Sequence, residues 1–394
     1  MGTRFRFLAG VVLPGLLLSL SACTTSSSST PSGSGPGALF VATQGDSSVS
    51  AYTIDLSTGI LNANGDSVPT GSVPVAMIAS PSGTALFVAN SGTNDISAYT
   101  VTTDGTLTPA SGTTPTGGMT PLSMAMDAGG HFLFVANQGL QIDPASGTVS
   151  VFAVQDATLT AVPGSPFRVA ELGASSGTGP AGVAVTPDGK FLYVSNQFDS
   201  TVTTFSVDAS GLLTRGPVVA VGTAPSALAI TANGGFLYVA NSSTVSGFAI
   251  CNQVVNTCND PTTPDGILTP LTGSPFSSGL GPVSIVAAPS GKFLFVVDRL
   301  SNQISQYKIA TGTGELTPNT QATISTGANP VSAAIRVGTT IDATTGGTTN
   351  YLYVAELGAS SLSIYTFDST KGTLGRVGAP ITIDGGQPSA LAAE

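Results

Sequence analysis

Histidine occurs once in this 394-residue chain, cysteine three times, and charged side chains make up only 8% of it. Each scarcity excludes something. The one histidine, His131, sits in Gly129-Gly130-His131-Phe132, which reads as a solvated turn. It is therefore a poor general base, because a base must reach the proton it removes. The cysteines have no histidine near them and are too few for a structural zinc site, so no metal and no cofactor are expected. Eleven Lys and Arg face 21 Asp and Glu, with no basic cluster. That balance argues against nucleic acid and against anionic lipid headgroups as partners. The N-terminal apolar run, residues 7–20, is 14 residues long and too short to cross a bilayer as a helix.

That run follows Arg4 and Arg6 and reads as the apolar region of a signal peptide. Leu20-Ser21-Ala22-Cys23 comes next and resembles the lipobox of bacterial lipoproteins. The resemblance implies removal of residues 1–22 and acylation of Cys23; an ordinary secretory peptide with an incidental cysteine is the alternative. Residues 23–37 are rich in Ser, Gly and Pro with little to bury, and are expected to form a tether reaching about 20 Å. The expected location is the bacterial cell envelope, with membrane contact through the lipid alone. In such an oxidising compartment Cys251 and Cys258, within one polar insertion, are expected to form a disulfide.

What the chain has in abundance is a repeat. Phe236-Leu237-Tyr238-Val239-Ala240-Asn241 recurs as Leu86-Phe87-Val88-Ala89-Asn90, Phe132-Leu133-Phe134-Val135-Ala136-Asn137, Phe191-Leu192-Tyr193-Val194-Ser195-Asn196 and Phe293-Leu294-Phe295-Val296-Val297-Asp298. Degenerate copies are Leu39-Phe40-Val41-Ala42-Thr43 and Tyr351-Leu352-Tyr353-Val354-Ala355-Glu356. The leucine steps run from 45 residues (Leu192 to Leu237) to 59 (Leu133 to Leu192). A second motif opens at Pro74, Pro121, Pro180, Pro225, Pro282, Pro330 and Pro388. In the fullest unit, residues 225–230 read as a strand a, 236–240 as b, 245–250 as c, and the stretch around Leu268 as d. Four strands in a repeat of this length match one propeller blade. The near-continuous apolar run of strand b suits a strand covered on both faces.

The first copy lacks a strand a, while residues 388–392 are a strand a with nothing after it. The reading is therefore all-β: a seven-bladed β-propeller of four-stranded antiparallel blades, its ring closed by N- and C-terminal strands in one blade. Such closure leaves no open ring edge. The propeller is assigned to 38–394, with blade 1 built from 38–73 and 387–394. The other blades are 74–120, 121–179, 180–224, 225–281, 282–329 and 330–386. Insertions at 138–147, 251–264 and 337–349 are assigned to loops, where length varies at little cost.

In a propeller the b–c loops and d–a linkers share the face around the channel mouth. The residues that close strand b form a set there: Thr43, Asn90, Asn137, Asn196, Asn241, Asp298 and Glu356. They either hydrogen-bond a ligand or satisfy turn backbone groups, and the recurrence of Asn and Asp favours turn chemistry for the set. Asp298, Arg299 and Glu356 break the repeat and are the candidates for chemistry. Two apparent motifs fail their context. Gly173-Ala174-Ser175-Ser176-Gly177 has the form of a nucleophile elbow without a following helix or a histidine partner. Gly312-Thr313-Gly314 lies in a strand-connecting turn with no helix to hold a phosphate.

Residues 180–196 follow P-x-x-x-A-x-x-P-x-G-K-F-L-Y-V-x-N, with a V-S-x-F-like run at 202–205, and residues 265–275 carry G-x-L-T-P and G-S-P. This pattern resembles the lactonase family of seven-bladed propellers, typified by propeller-type 6-phosphogluconolactonases and carboxy-muconate lactonising enzymes. The resemblance covers 38–394. It implies metal-independent hydrolysis of a small sugar-type lactone, with histidine, arginine and glutamate at the mouth. The family's Arg-His pair, expected after the proline that opens strand a, falls here on Leu122-Ser123, Val283-Ser284 or Val331-Ser332. Charge remains at Asp298, Arg299 and Glu356, so the resemblance implies Glu356 as base and Arg299 as oxyanion stabiliser. The missing histidine keeps a second reading open: a non-catalytic, lipid-tethered monomer binding a glycan, peptide or partner protein. A phosphorylated sugar suits neither, since the mouth offers one arginine.

Overall fold

A computed structural model describes residues 37–394 apart from 172, 175, 176, 254–257, 259–261 and 342–345. The signal sequence, Cys23, the tether to residue 36, and Ser175-Ser176 lie outside the described residues. Among the described residues all regular structure is strand, in seven separate antiparallel sheets. Each sheet has the order a-b-c-d. Strands a and b are Pro74–Ala79 and Ala85–Asn90 in blade 2, Pro121–Met126 and Phe132–Asn137 in blade 3, Pro180–Val185 and Phe191–Asn196 in blade 4. They are Leu228–Ile230 and Phe236–Ala240 in blade 5, Pro282–Ala287 and Phe293–Asp298 in blade 6, Pro330–Ile341 and Thr348–Glu356 in blade 7. In blade 1, strand b is Gly37–Thr43 and strand a is the C-terminal Pro388–Ala393. These two pair antiparallel, Leu39 opposite Ala393 and Val41 opposite Leu391, and the ring closes as the sequence predicts.

The apolar run of strand b is explained by what each side of it faces. Leu39 and Val41 pack with Tyr353 and Ala355 of blade 7, whereas Phe40 and Ala42 pack with Leu86 and Val88 of blade 2. The same alternation repeats round the ring, with one apolar layer between each pair of neighbouring blades. A strand buried on both faces cannot alternate apolar with polar. Charge is excluded from these layers, which is why so little of the chain is charged.

Neighbouring blades are also keyed together at the turn between strands c and d. Gly266 and Gly314 there have positive φ (82° and 72°) and lie flat against the rings of Phe191 and Phe236, which begin strand b of the preceding blade. Their carbonyls accept hydrogen bonds from Tyr193 Oη (2.8 Å) and Tyr238 Oη (2.6 Å). Gly59, Gly211 and Gly372 make the same contact with Tyr351, Phe132 and Phe293. The glycine of the G-x-L-T-P motif is thus a backbone position against which only a hydrogen atom fits.

Candidate functional site

Strand a of each blade touches strand a of the next all the way round, so the seven form the innermost ring. Each is entered through a residue with positive φ placed directly before its proline: Val73, Thr120, Gly179, Ala224, Gly281, Asn329 and Gln387, between 46° and 68°. Four of the seven are neither Gly nor Asn, and Val73 and Thr120 are β-branched, so the turn is held against local preference. What holds it is the residue that follows strand b. The N–H groups of Gln44, Ser91, Gln138, Gln197, Arg299 and Leu357 donate to the carbonyls of Gln387, Val73, Thr120, Gly179, Gly281 and Asn329 at 2.8–3.0 Å. In blade 5, Ser242 N donates one residue further back, to Thr223 O (2.9 Å).

These seven residues surround the channel mouth. Six are half-buried and Ser242 is exposed. Gln138 Nε2 reaches across to Gln197 Oε1 of the next blade (2.7 Å), and Gln44 Nε2 to Pro74 O (3.3 Å). Ser91 and Ser242 hydroxyls donate to Val73 O (3.1 Å) and Thr223 O (3.0 Å). Burial pushes the Arg299 guanidinium below its ordinary range. Leu280 and Leu300 stand exposed beside Arg299, and Met119, Leu140 and Ile142 on blade 3. The rim residues offer amides, hydroxyls and one cation on an apolar edge, with the carboxylates of Asp46, Asp95 and Asp199 behind them in the b–c loops.

The residues that close strand b lie elsewhere. Thr43, Asn90, Asn137, Asn196, Asn241, Asp298 and Glu356 are all buried. Their polar ends turn into the blade toward strand c. Asn90 Nδ2 donates to Asp95 Oδ1 (2.8 Å) and Ser97 Oγ (3.0 Å). Asn137 and Asn196 make the matching pairs with Thr148 and Ser150 and with Thr201 and Thr203, and Asn241 with Thr244 and Ser246. The amides stitch the b–c hairpin, and the ring facing solvent is one residue further on. Sequence reasoning missed Gln44, Ser91, Gln138, Gln197 and Ser242. Their variability beside a near-constant Asn is the signal that would have found them.

Asp298 and Glu356 occupy the same slot. Asp298 accepts from Ser278 Oγ (2.8 Å), Ser305 Oγ (2.6 Å) and Gln303 Nε2 (3.3 Å). Glu356 accepts from Gly327 N (2.6 Å), Ser361 Oγ (2.6 Å) and Ser363 Oγ (2.5 Å). Arg376 Nη2 donates to that same Ser363 hydroxyl at 2.6 Å, so a cation on strand d backs the buried carboxylate through one serine.

Burial pushes the Asp298 carboxyl above its ordinary 3.8, and its hydrogen bonds only partly offset this. The folded chain then holds the Asp298 proton more tightly than the unfolded chain does. Stability from this group is full below pH 3.8 and is lost as pH rises through the raised value. Asp298→Asn, which restores the amide found in blades 2–5, is expected to gain about 1 kcal/mol at neutral pH and nothing at acid pH. Urea unfolding at pH 4 and pH 7 checks this; an Asn variant less stable at pH 7 would contradict it.

The places where the resemblance puts an Arg-His pair are closed. Leu122, Ser123, Val283, Ser284, Val331 and Ser332 are buried in the inner ring. Ser123 and Ser332 accept from the backbone of the next blade, at Val183 N and Leu391 N (both 3.2 Å). His131 is on the opposite face, 74% exposed, with Nδ1 3.0 Å from Asp127 Oδ2. Cys251 and Cys258 are joined as a disulfide, S–S 2.00 Å, beside Asp265. Gly314 of the apparent phosphate loop is the blade-keying glycine described above.

The family described as Lactonase, 7-bladed beta-propeller matches residues 72–158, 142–256 and 257–392. Among solved structures, a candidate 6-phosphogluconolactonase of Bacteroides uniformis is 19% identical, with TM-score 0.69 over 91% of this chain and 99% of its own. The periplasmic gluconolactonase of Pseudomonas aeruginosa is 21% identical, with TM-score 0.68 over 91% of this chain and 98% of its own. At these identities the likeness is one of fold. No curated protein sequence matches the chain. By its match along most of the propeller, the chain belongs to the seven-bladed lactonase family.

Proposed function

We propose that this lactonase-family propeller binds a small polyhydroxylated ligand, a sugar acid or sugar lactone, at the channel mouth and does not hydrolyse it. One observation carries the reading: of the seven mouth residues only Arg299 is ionisable, while the Asp298 and Glu356 carboxylates are buried and hydrogen-bonded within their own blades. Amides and hydroxyls at Gln44, Ser91, Gln138, Gln197 and Ser242 suit ligand hydroxyls. The Arg299 fork suits a single carboxylate. Lactone hydrolysis needs a group that activates water. None of the seven rim residues is a carboxylate or imidazole, and the b–c loop carboxylates Asp46, Asp95 and Asp199 accept hydrogen bonds from Thr43, Asn90 and Thr201 within their own blades.

Hydrolysis is the second reading, favoured by the family match. It would use Glu356 as base with Arg299 stabilising the oxyanion, and would require the Glu356 carboxylate to leave its three donors. The signal-like run at 7–20 and the lipobox-like Leu20-Ser21-Ala22-Cys23 support a cell-envelope location for either activity.

Calorimetric titration with gluconate and with neutral aldonolactones tests the binding. Arg299→Ala is expected to weaken gluconate at least ~10-fold, the loss of one charge-assisted hydrogen bond or more, and to affect the neutral lactones less. Gluconate affinity unchanged in Arg299→Ala would remove the mouth from the account.

A further inference from the structure

We propose that the face bearing the a–b and c–d turns is held against a lipid bilayer through Ile60, Val337 and Ile341, so that the channel mouth points away from the membrane. The inference rests on the acylation of Cys23 proposed above. Strand b of blade 1 begins at Gly37 and runs toward the mouth, so the chain enters the propeller on the turn face. Gly37 lies there against Leu56 and Arg336.

The longest a–b hairpin of the ring stands beside this entry point. Strand a of blade 7 runs on to Ile341, and its end crosses the c–d turn of blade 1. Thr339 N donates to Leu56 O (3.1 Å) and Thr340 Oγ1 to Ser57 O (3.2 Å). The crossing leaves three aliphatic side chains open around the entry: Ile60 50%, Val337 45% and Ile341 67% exposed.

The mouth face also exposes apolar side chains, Met119, Leu140, Ile142, Leu280 and Leu300. Apolar exposure alone therefore does not choose between the faces; the entry point does. A strand b of six or seven residues separates the two faces by about 20 Å. A Ser/Gly/Pro tether of the length between Cys23 and Gly37 also reaches about 20 Å. Bringing the mouth to the bilayer would take the whole of that root-mean-square span, against a fully extended limit of roughly 45–50 Å, whereas seating the turn face takes almost none of it. This departs from the expectation, drawn from composition, that the lipid alone touches the membrane: the acidic excess argues against anionic headgroups, and an apolar contact needs none.

The test uses the full, acylated chain in vesicles of phosphatidylethanolamine and phosphatidylcholine that contain a nitroxide-labelled lipid. An environment-sensitive dye is placed on Ile341→Cys, on Val337→Cys and, for the mouth face, on Ile142→Cys. Acylation at Cys23 and the Cys251–Cys258 disulfide leave no competing thiol. Quenching several-fold stronger at 341 and 337 than at 142 is expected. Equal or reversed quenching, or none at any position in vesicle-bound protein, overturns the orientation. If the chain fails to float with vesicles and Cys23→Ala behaves identically, the acylation reading itself fails and the orientation falls with it.

Discussion

Glu356→Ala is expected to lower the unfolding free energy by about 3–5 kcal/mol, the range for losing one side of a buried charged network. The carboxylate is wholly buried and accepts three donors: the Gly327 backbone and the hydroxyls of Ser361 and Ser363. Serine hydroxyls can rotate toward other acceptors, but the Gly327 N–H cannot, and Gly327 is packed flat against the Glu356 carboxyl. Truncation therefore leaves a buried backbone donor unpaired, opens a cavity, and strands the Ser363–Arg376 contact. Glu356→Gln keeps one accepting oxygen and the volume, and is expected to cost about 1–2 kcal/mol. Chemical denaturation of both variants reads this order directly. An alanine variant as stable as the parent would show that Glu356 is not part of the framework and would free it for chemistry.

Gly314→Ala is expected to be nearly as damaging, by about 2–4 kcal/mol, for reasons of shape. At φ 72° a Cβ would lie 2.3 Å from the Phe236 ring, which is itself held between two blades. The ring cannot retreat, and displacement of the turn would break the 2.6 Å hydrogen bond from Tyr238 Oη. The same turn supplies its own control. Gly312 has φ 89° with nothing within 4 Å of a Cβ, so Gly312→Ala carries only the backbone term, about 1 kcal/mol. A difference between the two variants measures blade keying, because they share the turn and the φ sign. Equal losses would mean that the Phe236 contact contributes nothing.

These two sites also mark how far the sequence could be read. The glycine of G-x-L-T-P was visible as a motif, but its cause, an aromatic ring from the preceding blade, is a contact between residues dozens of positions apart. Blade number, strand order and ring closure were legible because strand b repeats an apolar pattern that only double-sided burial explains. Strand ends were harder. Of the six blades other than blade 5, five carry Asn, Asp or Glu at the end of strand b; position put these residues around the mouth, while their recurrence favoured turn chemistry. In all six, however, the a–b register shifts by one residue beside that position, as between Pro74 and Ala76 opposite Asn90 and Ala89. The bulge bends the strand where it ends, as such extra residues do. Asn90, Asn137, Asn196, Asp298 and Glu356 lie buried beside it, and the residue after each is the one at the rim. Nothing in a single sequence announces that shift.

The same geometry separates what Asp298 and Arg299 do, although they are adjacent in the chain. Asp298 turns toward Ser278 and Ser305, while Arg299 is anchored by its backbone to Gly281 at the mouth. One belongs to the framework and the other to the mouth surface at which ligand binding is proposed.

The most direct test of the account is proton release by the full chain with a panel of sugar and hydroxy-acid lactones, run beside Glu356→Gln and Asp298→Asn. No turnover above the spontaneous rate is expected in any of the three proteins, while calorimetry still detects binding that Arg299→Ala weakens. Turnover by the parent chain that disappears in a folded Glu356→Gln variant would contradict it, and would make this propeller a lactonase working without histidine.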